Sequence, residues 1–171
     1  MLLLTMKSIT KRWLGCISGG IIYLVIHEGT HLVQAVIANN FEYIRIVGIF
    51  GIEIMMKEVP SGIQLALFSG LSGIVTVTVG YVLYFLMPKI LEIKKDFIKI
   101  ILYYSTLVLL ILDPIYLSVL HYFVGGGDMN GITKGLGISS LPISIIYGLI
   151  AIVNIYLIVK RVYPGYKRNF S

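Results

Sequence analysis

The chain has 171 residues, 57% of them hydrophobic and only 13% charged, with a formal net charge of +6 and a mean hydropathy of +0.92. A soluble domain carries about 25% charged residues, so this balance excludes an ordinary soluble enzyme and points to one compact unit in a lipid bilayer. The single cysteine, Cys16, excludes an internal disulfide and a cysteine-based metal cluster.

Four apolar runs, residues 13–38, 61–87, 97–123 and 141–159, approach or exceed the ~20 helical residues needed to cross about 30 Å of hydrocarbon. The expected fold is an all-α membrane protein of about four transmembrane helices, forming a single polytopic domain over residues 1–171. After the first run, Phe41-Glu42-Tyr43-Ile44-Arg45-Ile46-Val47 alternates weakly and is rich in β-branched and aromatic residues. Gly48 and Gly51 bracket a turn, and residues 52–57 resume the extended pattern. This predicts a short β-hairpin at the membrane surface. The second run carries Ser69-Gly70-Leu71-Ser72-Gly73, a small-residue face suited to close helix contact. Pro114 should kink the third. Residues 125–131, with three consecutive glycines, predict an irregular segment before the fourth run. With the N-terminus in the cytoplasm, every Lys and Arg except Arg45, Lys57 and Lys134 lies on the cytoplasmic side. That asymmetry is the one membrane insertion follows, and it places both termini in the cytoplasm. The basic residues therefore read as topology signals, with the bilayer and not nucleic acid as the partner.

The first run is interrupted by His27-Glu28-Gly29-Thr30-His31. Residues i and i+4 share a helix face, so His27 and His31 can aim ring nitrogens at one point, an arrangement that suits zinc. Glu28, beside the first histidine, can serve as the general base that takes a proton from water in peptide hydrolysis. Burying such a group in a bilayer is costly, and ionisable residues at that depth mark functional sites. A zinc site of this kind needs a third protein ligand and an open position. Glu92 falls on the cytoplasmic side, and Glu53 and Glu58 fall in the hairpin region. Three residues remain, in the order Asp128, Asp113, His121. Asp128 heads the order because a glycine-rich outer segment can bend back toward the histidines. Asp113 also reads as a kink residue or as a partner that orients a histidine, and His121 as an interfacial polar residue.

At these residues the sequence resembles the site-2 protease family of intramembrane zinc metalloproteases. His27-Glu28-Gly29-Thr30-His31 matches that family's first motif, and Gly126-Gly127-Asp128-Met129-Asn130-Gly131 resembles its second. The small-residue segment around Ser69–Gly73 is similar to one these proteins carry between the two. Gly127 stands where the family has Leu, and Asp113-Pro114 lies well upstream of where it has Asn-Pro. The resemblance implies zinc held by His27, His31 and Asp128, with Glu28 catalytic. It implies hydrolysis of a peptide bond within or next to a transmembrane segment of a membrane-protein substrate. Asn130 and Asn154 are candidates for polarising the substrate carbonyl. The alternatives are a non-proteolytic zinc-binding membrane protein, or an inactive relative acting as a regulator.

Overall fold

The structure, a computed structural model, describes residues 2–47 and 51–170, with side chains described for residues 9–46 and 52–167. Gly48, part of the predicted turn, lies outside the described residues. The chain opens with α1 (Leu2–Ile37), followed by strands β1 (Phe41–Val47) and β2 (Gly51–Met56). Then come α2 (Gly62–Leu91) and α3 (Asp96–Ile115), the latter continuing through a π-helical turn (Tyr116–Leu120) into α4 (His121–Val124). A short helix, α5 (Gly127–Leu136), precedes α6 (Ser140–Leu157), which continues through a second π-helical turn (Ile158–Val162) into α7 (Tyr163–Phe170).

Four helices, Ile9–Ile37, Gly62–Leu91, Asp96–Val124 and Ser140–Lys167, are long and apolar enough to cross a membrane. Each exceeds the apolar run that predicts it, because flanking polar residues extend the helix past the hydrocarbon-length core. Only a fifth to a third of their most apolar windows is buried inside the chain. Val25, Ile37, Phe85, Phe123 and Ile152 all point outward. Helices apolar on every face bury that surface against something other than their own fold.

The inward face of α1 is a row at four-residue spacing. Gly15, Gly19, Tyr23, His27, His31 and Ala35 are all buried. A helix turns about 100° per residue, so each step of four drifts ~40° and the row winds through roughly 200° along its length. It therefore changes neighbour. Gly15 and Gly19 seat against Ile100, Tyr104 and Ser105 of α3, where a Cβ on Gly19 would come within 2.9 Å of the Tyr104 carbonyl carbon. Farther along, His31 meets Phe68 of α2.

Pro114 is accommodated inside α3. Proline has no N–H, so the Leu110 carbonyl four residues earlier loses its helical donor. Asn154 of α6 replaces it, donating Nδ2–H to Leu110 O at 2.6 Å. Its Oδ1 accepts from Tyr81 of α2, also at 2.6 Å. One fully buried asparagine thereby ties three helices together.

The hairpin after α1 is antiparallel, with Ile44 opposite Ile54, Arg45 opposite Glu53 and Ile46 opposite Ile52, and an irregularity between Phe41 and Tyr43. Arg45 and Glu53 form a cross-strand ion pair. Asn40 closes the base, its Nδ2 donating to Glu58 O at 2.7 Å and its Oδ1 accepting from Glu58 N–H at 2.9 Å.

The glycine-rich segment departs from expectation. From Gly127 it is helical, α5, with Asp128 in the first turn. Its glycines serve helix packing more than backbone freedom. Gly135 lies so close to α2 that a Cβ there would sit 2.5 Å from Ala66 N. One on Gly131 would overlap the Ser69 side chain. Small residues on both helices allow this approach.

Candidate metal centre

His27 and His31 come together because both belong to the buried row of α1; their ring centroids are 5.2 Å apart, edge to face. His31 packs on the Phe68 ring, centroids 4.8 Å apart. Gln34, one turn on, donates to Phe68 O at 3.1 Å, tying α1 to α2 at the same level. Both histidines are over nine-tenths buried.

Asp128 reaches them from a distant part of the chain. Gly125 adopts φ 91°, a backbone open mainly to glycine, and ends α4. Tyr116 holds that turn by donating its hydroxyl to Gly125 O at 3.0 Å. The close seating of α5 on α2 then fixes the first turn of α5 over α1. An acidic side chain is favoured there by the helix dipole. His27 Nε2 lies 3.1 Å from Asp128 Oδ2, and His31 Nε2 lies 3.5 Å from Asp128 Oδ1. Burial pushes the Asp128 carboxyl up, but hydrogen bonding and charge from His27 and His31 outweigh it and hold the group at about 2. The carboxylate stays ionised.

These three residues can hold a metal ion: one donor atom from each, all within 4.8 Å of one another. Tetrahedral ligands ~2.0–2.1 Å from zinc stand ~3.3–3.4 Å apart; here His27 lies 3.1 Å from one Asp128 oxygen and His31 3.5 Å from the other. Two imidazoles and a carboxylate also match the donor chemistry of zinc, with a fourth position left over. Glu28 is half-buried and within electrostatic range of His27, His31 and Asp128.

Asp113, fully buried on α3, is not among the grouped donors. It lies behind His27, its Oδ1 3.3 Å from Nδ1. His121 is buried against Ser144, 3.0 Å from Nε2 to Oγ, and also stands apart from the grouped donors. Asn154 is consumed by Leu110 and Tyr81. Asn130 is exposed on α5. Sequence reasoning missed two residues, Tyr23 and Thr76, whose hydroxyls both bond Asp113. For Tyr23 a signal existed, its place four residues before His27; for Thr76 there was none.

In comparison with known proteins, no family model matches the chain, no curated protein matches it, and no solved structure matches its fold.

Proposed function

We propose that the chain is an intramembrane zinc metalloprotease of the site-2 type, with both termini cytoplasmic, cleaving a peptide bond within or next to a transmembrane segment of a membrane-protein substrate. One observation carries this reading. Residues about 100 positions apart, His27, His31 and Asp128, converge as a buried donor set inside four apolar helices, with an acidic side chain, Glu28, beside them. Along α1, His27 stands ~15 Å before Ile37, at 1.5 Å per residue, well within the thickness of a bilayer.

Zinc, when bound, supplies the Lewis acid that polarises the scissile carbonyl. The chain's own residues do the rest. His27, His31 and Asp128 hold the metal, and Glu28 takes a proton from the attacking water as its oxygen bonds to the carbonyl carbon. Glu28 then delivers that proton to the amine nitrogen as the C–N bond breaks. A helical substrate has its amides hydrogen-bonded and must unwind first. The two-stranded hairpin offers an outer strand edge to such an extended segment; deleting it should reduce cleavage.

The deciding experiment uses zinc-loaded protein in liposomes with transmembrane-peptide substrates. Glu28→Gln should lower turnover by roughly 10²–10⁴-fold, the usual worth of a general base, while zinc content is unchanged. Should wild-type protein retain zinc and cleave none of a broad set of transmembrane peptides, it is a non-proteolytic metal protein or a regulator.

A further inference from the structure

Asp113 is a carboxylate with no exposure to solvent, inside a helix apolar enough to cross a membrane. Such a group is costly unless its lone pairs are engaged. Three side chains from two other helices meet it. Tyr23 of α1 donates its hydroxyl to Oδ1 at 2.6 Å, and Thr76 of α2 bonds Oδ2. His27 Nδ1 lies 3.3 Å from the same Oδ1 and 3.2 Å from the Tyr23 oxygen.

A neutral imidazole carries one proton, on Nδ1 or on Nε2, and binds a metal through the nitrogen that lacks it. Around Nδ1 of His27 stand a carboxylate oxygen and a phenol oxygen whose own proton is committed to that carboxylate. Both accept. Nε2 faces a single acceptor, Asp128 Oδ2 at 3.1 Å, on a carboxylate whose side chain is 18% exposed to solvent. The fully buried Asp113 has no water to turn to and depends more on a donor, so the proton belongs on Nδ1 and Nε2 is left with its lone pair. His31 has no such arrangement: its Nδ1 is buried without a hydrogen-bond partner among the described residues.

We infer that Asp113, held by Tyr23 and Thr76, is a positioning residue that fixes His27 in the Nδ1–H tautomer and so presents Nε2 as a ready metal donor. Tying α1 to α2 and α3 would need only hydroxyls or an amide. What a carboxylate adds is a group that only accepts, aimed at Nδ1. An amide in its place can turn its N–H₂ toward Nδ1, moving the ring proton to Nε2, where it blocks the metal. The inference rests on the metal-centre reading for its consequence, but the tautomer is measurable without metal.

The test is ¹⁵N-histidine NMR of the full chain in nanodiscs, metal-free and above the pH at which the His27 signals stop titrating, followed by zinc titration against a competing chelator. Wild type should show His27 as Nδ1–H. Asp113→Asn should shift it toward Nε2–H and weaken zinc binding ~10–100-fold, the range for losing an outer partner of a metal-bound histidine. Thr76→Val should weaken zinc less, and Thr76→Ser should restore it. If Asp113→Asn fails to fold, the Thr76 pair decides: zinc affinity unchanged in Thr76→Val overturns the inference. A folded Asp113→Asn with wild-type tautomer and zinc affinity also overturns it. Wild type that binds no zinc, yet holds His27 as Nδ1–H, overturns the metal-centre reading and leaves the tautomer assignment standing.

Discussion

The two sides of the donor set are built by different physics. Behind His27 stands a buried polar network in which Asp113, Tyr23 and Thr76 satisfy one another. Behind His31 and Asp128 there is packing: the Phe68 ring against His31, and α5 pressed onto α2 through Gly131 and Gly135. Hydrogen bonds are directional and set the electronic state of a ligand. Close packing sets only position, but it tolerates almost no added volume. Each side should therefore fail in its own way.

Removing a donor gives the largest effect and ignores the distinction. Asp128→Ala should weaken zinc binding by more than ~100-fold, since loss of an outer partner alone spans 10–100-fold; isothermal titration would show it. The packing side should break on a single methyl. Gly131→Ala collides with Ser69 and should destabilise the protein by roughly 1–3 kcal/mol, as overpacking does, while loosening zinc. Ser69→Gly in the same chain should recover much of that loss, because it removes the atoms nearest the new Cβ. On the His27 side no such volume rescue should exist, since Asp113→Asn barely changes size. Asn154→Ala, at a residue that bonds neither side, leaves Leu110 O and the Tyr81 hydroxyl without their partner. It should cost ~1–3 kcal/mol in denaturant stability with zinc affinity unchanged.

The parts of this architecture that depend on short stretches of chain could be read in advance. Run length gave the four long helices, and alternation gave a hairpin whose first strand is Phe41–Val47 as expected. The i, i+4 spacing identified His27 and His31 as one face. What escaped depends on how helices meet. The glycines around Asp128 suggested a bend, yet Gly131 and Gly135 are spaced by four and serve as a contact face, a pattern present in the sequence but outweighed by the count of glycines. Thr76 escaped because only the packing of α2 beside α3 brings it to Asp113. Asn154 was singled out for a different role, because its partner is a backbone carbonyl released by a proline 40 residues away.

The winding row on α1 makes that helix resemble a screw engaged by two threads of different phase. Its glycine end is seated in α3 and its far end, from His31 on, against α2. Rolling the helix to deepen one seat withdraws the other. A side-chain nitrogen ~6 Å from the axis moves about 1 Å for each 10° of roll, given the radius of a helix with its side chains. The two opposed seats thus act as a rotational lock, and the aim of the histidines is set partly by glycines three turns away.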